Sequence, residues 1–224
     1  MQKFDTPAQV SAVLDIPAGR IQFIAADRAD TTVEVRPADA SKSRDVKAAE
    51  RVEVGYADGV LRVEVPEPTN RILGNNSGSV EVTIQLPAGS RVEAKAASAE
   101  LRGVGRLGDV AFEGQLATVK LDEAASARLT LASGDITVGR LGGPAEISTQ
   151  KGDIQITEAL HGAVTLRTEH GQISVGAARG VSAALDAGTE YGRIHNTLQN
   201  SDGAAAGLNI KATTAYGNIT ARSL

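Results

Sequence analysis

The second half of the chain repeats one pattern of apolar and polar positions. Aligning the stretches SGDITV, KGDIQI, HGQISV, YGRIHN and YGNITA brings Ile136, Ile154, Ile173, Ile194 and Ile219 into one column, and the weaker copies SAELRG and LATVKL add Leu101 and Val119. The steps along this column are 18, 17, 18, 19, 21 and 25 residues, and a period near twenty marks a solenoid. Nine positions before the column stand Val92, Val110, Ala127, Ala145, Val164, Leu185 and Ile210; seven before it stand Ala94, Phe112, Leu129, Ile147, Leu166, Ala187 and Ala212. Two after it come Val138, Ile156 and Val175, with polar Thr137, Gln155 and Ser174 between. Apolar residues two apart, separated by polar ones, are the signature of a strand with one buried face. Each repeat therefore predicts two short strands joined by a turn, and such rungs bury their inner faces only by stacking in parallel. Gly134, Gly152, Gly171, Gly192 and Gly217 hold the turn position, where a positive φ or a close backbone approach suits glycine.

The first ninety residues alternate differently. VSAVLDI, RIQFIAA and TTVEVRP predict strands, residues 37–50 a polar surface loop or short helical turn, and Val52 to Val65 a hairpin on an Asp58-Gly59 turn. Pro66 to Ser79 is loop by composition, and VEVTIQL, Val80 to Leu86, is a further strand. The expected architecture is all-β: residues 1–90 form an antiparallel or mixed β region that caps the first rung, and residues 91–224 form about seven parallel rungs of 17–25 residues. The insertion between Asn196 and Gly207 should project from the stack. The last rung, ending at Leu224, has no sequence left to cover it, which predicts an open edge and self-association as a dimer through the C-terminal rungs.

Composition narrows the function classes. Of 224 residues, 42% are hydrophobic but only 3% aromatic, with 24 glycines; an aliphatic core of this kind suits a thin stack better than a large, cavity-bearing enzyme. A net charge of −4 without a Lys/Arg cluster excludes the electrostatic footprint of nucleic-acid binding. The absence of cysteine removes disulfides, thiolate metal sites and cysteine catalysis. The start MQKFDTPAQV lacks the apolar run of a signal peptide, and no stretch reaches the ~20 apolar residues of a spanning helix, so the expected location is the cytoplasm.

Several constellations bear on chemistry. A GxGxxG string lies at Gly103, Gly105 and Gly108, with Asp122 beyond it; a dinucleotide site needs a helix to open after the glycines, whereas DVAFEGQLATVKL alternates as a strand, so these glycines read as a turn between rungs. The outward position before the column carries Asp135, Asp153, Gln172, Arg193 and Asn218. Stacked carboxylates bind calcium in nonapeptide β-rolls, but those nonapeptides are absent and Arg193 breaks the line, so neither a metal nor a cofactor is expected. Three before the column, Lys151, His170, Tyr191 and Tyr216 form a stripe with Glu169 and Glu190 beside it. This is the candidate binding stripe, since Tyr and His are favourable contact residues. His161, His170 and His195 lack metal-ligand spacing, and HExxH and GxSxG are absent, so no residue is assigned a catalytic role.

The repeated xSGDIxV pattern after an N-terminal β region, together with KGDIQI and the closing YGNITARSL, resembles a bacterial β-strand-repeat family of unknown function labelled "putative adhesin". The resemblance implies a β-sandwich-like N-terminal portion running into a single-stranded, right-handed parallel β-helix, and it implies no activity. Three readings follow in order of preference. The first is a non-enzymatic scaffold that binds an unknown protein partner or itself. The second is an adhesin-like glycan-binding module at the cell surface, and the third a β-helix enzyme acting on polysaccharide.

Overall fold

The computed structural model describes residues 1–66 and 78–224 and, for Ala204, the backbone alone. In chain order the described strands are β1 (Gln2–Asp5), β2 (Ser11–Asp15), β3 (Ala18–Ala26), β4 (Asp30–Pro37), β5 (Glu53–Ala57), β6 (Val60–Glu64), β7 (Val80–Pro87) and β8 (Arg91–Ser133). They continue with β9 (Ile136–Leu141), β10 (Ala145–Lys151), β11 (Ile154–Ala159), β12 (Gly162–His170), β13 (Ile173–Ala177), β14 (Ala183–Tyr191), β15 (Ile194–Thr197), β16 (Leu208–Tyr216) and β17 (Ile219–Ser223). All 17 belong to one sheet, so the chain is an all-β protein with a repeat-like sheet. The loop expected from Pro66 to Ser79 lies mostly outside the described residues.

The repeat alignment predicts the register. In one leg of the stack Ala127, Ala145, Val164, Ile210 and Leu185 are successive parallel neighbours. In the other leg Val119, Ile136, Ile154, Ile173, Ile219 and Ile194 are neighbours. Strand β8 spans 43 residues, which would reach about 140 Å if straight; it instead coils through successive rungs. Residue 127 within it meets β10 and residue 119 meets β9. Inside it Lys95 reaches Glu113 at 3.4 Å and Arg102 reaches Asp122 at 2.6 Å.

The order of rungs departs from the order of the chain. After β13 the chain passes over one rung space to build β14 and β15, then returns and inserts β16 and β17 into the gap. Strand β16 pairs with β12 on one side and β14 on the other, and β17 pairs with β13 and β15. The expected open edge at residues 208–224 is therefore corrected: the terminal rung is interior, with Ile219 and Ala221 fully buried. The edge is the rung before it, where Ile194 is 45% exposed. The insertion after Asn196 is also tied down, because Gln199 accepts the Ala183 N–H at 3.0 Å and donates its own to Ser223 Oγ at 2.9 Å, while Leu198 packs against the core.

The N-terminal end mirrors this arrangement. Strands β2 and β3 form a rung of their own, parallel to the residue 91–104 rung (Ala12 opposite Val92, Ile21 opposite Leu101) on one side and to β6 and β7 on the other. The region is mixed rather than antiparallel throughout. Antiparallel pairing is confined to its outer margin, in β1–β4, β4–β7 and β5–β6. The hairpin turn carries positive φ at both Asp58 (51°) and Gly59 (78°), the geometry that matches strand twist. Residues 43–51 form a nine-residue helix, α1, whose buried Asp45 accepts the Ser79 N–H at 3.0 Å. Strand β1 has no counterpart in the sequence reading, because four residues are too few to show a period. It is held by Asp30, whose carboxylate meets Arg28 at 2.8 Å and Lys3 at 3.1 Å.

Two predictions follow from this packing. Ile154 is 1% exposed in mid-column, so Ile154→Asp should abolish cooperative urea unfolding, a loss of more than ~5 kcal/mol, whereas Ile194→Asp should cost about 1 kcal/mol; similar losses at both sites would contradict the rung order. The hydrogen bond from Arg28, then that from Lys3, pushes the Asp30 pKa down from 3.8 to about 2. A depressed carboxylate stabilises above its unfolded pKa and loses that contribution as pH falls toward the folded one. Asp30→Asn should therefore flatten the acid loss of stability between about pH 4 and pH 2, measured by thermal melts across that window.

Candidate functional site: the outward ladder and the open edge

The turn between the two legs repeats one set of hydrogen bonds. The glycine N–H of each rung donates to the next rung's stripe residue: Gly152 to the carbonyl of His170 at 2.9 Å, Gly171 to Tyr216 at 2.9 Å and Gly217 to Tyr191 at 3.0 Å. Threonine hydroxyls buried beneath the turn return a bond to the glycine carbonyl, from Thr168 to Gly152 at 3.0 Å and from Thr214 to Gly171 at 3.1 Å. The glycine identity follows from proximity. A Cβ on Gly171 would overlap the carbonyl oxygen of Gly152, which holds whether or not φ is positive.

The outward carboxylates belong to this turn. Asp135 Oδ1 accepts the Asp153 N–H at 2.8 Å, Asp153 Oδ1 accepts the Gln172 N–H at 2.7 Å, and Asn218 Oδ1 accepts the Arg193 N–H at 2.9 Å. Each short acid or amide satisfies a backbone donor of the neighbouring rung, a role that the sequence reading, which weighed these positions as a solvated or metal-binding line, did not find. Among the described residues no group of three or more His, Asp or Glu side chains is arranged to hold a metal ion.

Because the backbone repeats in register, side chains at one position lie over one another. Lys151 is opposite His170, His170 opposite Tyr216, and Tyr216 opposite Tyr191, so the spatial order differs from the sequence order. The His170 and Tyr216 rings stack at 4.9 Å and 11°, and Tyr216 and Tyr191 at 4.8 Å and 3°. These centroid spacings reproduce the rung spacing of about 4.8 Å. Tyr216 is covered on both faces, by His170 and by Tyr191, and Tyr191 is 64% exposed at the end of the line. Glu169 and Glu190 are exposed beside the stripe, with the Ala215 rung between them. The structure thus brings Lys151, His170, Tyr216 and Tyr191 into one line and keeps the two acids apart.

The GxGxxG string lies in the coiling β8. Gly105 donates to Asp122 Oδ2 at 3.3 Å, the same carboxylate that holds Arg102, and Gly108 donates to the Ser90 carbonyl at 2.9 Å. Strand β8 runs on from these glycines to Ser133, whereas a dinucleotide site would open a helix after them. An open depression of about 590 Å³ on the outer face has its acids engaged already, Asp109 by Ser126 at 2.6 Å and Glu146 by Arg128 at 3.6 Å.

The Toastrack DUF4097 family model matches residues 106–222, just over half of the chain. The chain belongs to the Toastrack family. The match begins and ends within the stacked rungs described above. No curated protein sequence matches the chain. Among solved structures, the Toastrack chain is similar to a "putative adhesin" from Bacteroides fragilis at 12% identity, covering 100% of this chain and 95% of that one, with a TM-score of 0.46. It is also similar to a "putative adhesin" from Parabacteroides merdae (10% identity, 98% and 94% covered, TM-score 0.45). A "Putative lipid binding protein" from Parabacteroides distasonis gives 14% identity, 98% and 95% covered, and a TM-score of 0.45. Likeness this distant says nothing of activity.

The ladder makes a quantitative prediction. A stacked aromatic pair is worth about 0.5–1.5 kcal/mol beyond burial. Tyr216→Ala removes two stacks and Tyr191→Ala one, so denaturant unfolding should show the first costing roughly twice the second. Equal costs would mean that Tyr216 does not lie between the other two rings.

Proposed function

We propose that the chain is a non-enzymatic scaffold, built as a parallel β-helix, that binds another polypeptide at the open end rung formed by β14 and β15. The observation that carries this reading is the contrast between the two ends of the stack. At the N-terminal end the rungs give way to antiparallel strands, and charged pairs such as Lys3–Asp30 and Arg36–Glu34 line that margin. Natural sheets protect their edges in this way. At the other end the cover is partial among the described residues: Gln199 takes the Ala183 N–H and Leu198 packs on the core, but the rest of the rung has no neighbour on its outer side. Leu185 and Ala187 are only partly buried, Ile194 is 45% exposed and Tyr191 is 64% exposed. An edge of this kind takes an added strand through main-chain hydrogen bonds, with alternate side chains supplying specificity.

The other readings have less support. A sugar stacks on the face of an aromatic ring, and in this ladder both faces of the central ring, Tyr216, are taken by His170 and Tyr191. Glycosidic chemistry needs two carboxyl groups facing one bond, whereas Asp109 and Glu146 are engaged by Ser126 and Arg128.

Site-specific photo-crosslinking in the native host tests the reading. A photoreactive residue replacing Asp186 on β14 should yield a crosslinked polypeptide, and the same residue replacing Thr137 in mid-stack should not. Equal yields from both positions, or none from either alongside glycan retention that Tyr191→Ala abolishes, would overturn it.

A further inference from the structure

We infer that the occupant of the β14–β15 edge is a second copy of this chain, joined end to end about a two-fold axis. The inference rests on reading that edge as the binding surface. The edge carries the profile of an interior rung boundary: Tyr191 continues the Lys151–His170–Tyr216 line, and Leu185, Ala187 and Ile194 continue the three core columns. A cover for all of these must present a flat ring, apolar side chains and free main-chain groups at the same spacings. Among the described residues, the same end of another molecule presents them.

The opposite end of the molecule does not fit. Its outermost strands, β1 and β5, run antiparallel to their neighbours and carry Lys3, Asp5 and Glu53. Head-to-tail growth into a filament is therefore mismatched, and the same-end contact closes at two copies. A two-fold axis reverses strand direction across the junction, so the new pairing is antiparallel. Charge permits it: β14 carries Asp186 and Glu190, while Arg193 in the adjoining turn and His195 on β15 follow, so both surfaces hold both signs.

The extent of the edge sets the strength. The two strands contribute 9 and 4 residues, about 43 Å of edge, which at a thickness of ~10 Å is roughly 400 Å² per copy. That is about half of the ~800 Å² per partner of a stable complex, and the dimer should accordingly be weak and concentration-dependent.

Sedimentation velocity of the purified chain from about 1 μM to 1 mM is the test. The wild type should move from the 23.1 kDa monomer toward twice that mass. A Tyr191→Lys, Ile194→Lys variant, altered at two exposed positions, should remain monomeric with an unchanged circular dichroism spectrum. Hydrogen exchange of the wild type at the two extremes supplies a readout that does not need the variant: protection should rise across residues 183–197 and nowhere else. A wild type that stays monomeric throughout overturns the second-copy inference, and a crosslink from position 186 in cells would then still support an edge that binds a different polypeptide. Dimerisation with protection gained elsewhere overturns the inference as well.

Discussion

In-register parallel stacking at about 4.8 Å per rung is the constraint on which the rest of this structure depends. Once backbones repeat at that spacing, every sequence position is superposed on its counterpart above and below, and each position must tolerate its own repetition. Apolar residues do so by burial, as in the column from Val119 to Ile219. Glycine does so at the turn because a Cβ would meet the neighbouring carbonyl. Flat rings do so by stacking, which fixes His170, Tyr216 and Tyr191 at nearly equal spacings. Charged positions do so at several places by alternating sign between rungs, with Lys95 over Glu113, Arg128 over Glu146 and Arg140 over Glu158. Such exposed pairs add little stability individually, but they avoid the repulsion that a repeated charge would bring.

The same constraint makes the ends of the stack the places where function and hazard meet. The C-terminal rung lies one rung inside the edge, β16–β17 within β14–β15; at the other end β2–β3 lies within β6–β7, while β1 belongs to the outer margin. A rung held on both sides is harder to fray than a terminal one, so the C-terminal rung is secured by the segment beside it. The N-terminal edge is then closed by antiparallel pairing and charge. The C-terminal edge leaves Ile194 and Tyr191 exposed, and that asymmetry is the ground on which we propose it as a surface for another polypeptide.

Much of this was legible in the sequence because stacking forces repetition. The columns at Ala127, Leu129, Ile136 and Val138 and their counterparts gave the strands, the buried face and the register. The order of the last two rungs was not read, because a period tells which positions are equivalent and not which rungs touch. The signals were nonetheless present. The step from Ile173 to Ile194 is 21 residues where earlier steps are 17 to 19, and two or three extra residues span the additional rise of about 4.8 Å needed to pass over a rung. Asn196 stands where Val138 and Ile156 stood, as an edge position allows, and Ala221 restores a buried apolar residue in the rung that follows. The role of Asp135 and Asp153 was missed for a different reason: an acid that accepts a backbone N–H leaves the same trace in sequence as one facing water.

The intercalated order is tested most directly by cysteine pairing, since the chain has no native cysteine. Thr165 lies opposite Lys211, and Lys211 opposite Asp186. Paired positions on adjacent rungs fall within the ~5.5 Å that a disulfide spans, whereas positions two rungs apart, near 10 Å, do not. Under mild oxidation the Thr165→Cys, Lys211→Cys variant should crosslink within one chain and the Thr165→Cys, Asp186→Cys variant should not. The reverse outcome would mean that the rungs stack in chain order and that residues 208–224, not 183–197, form the open edge.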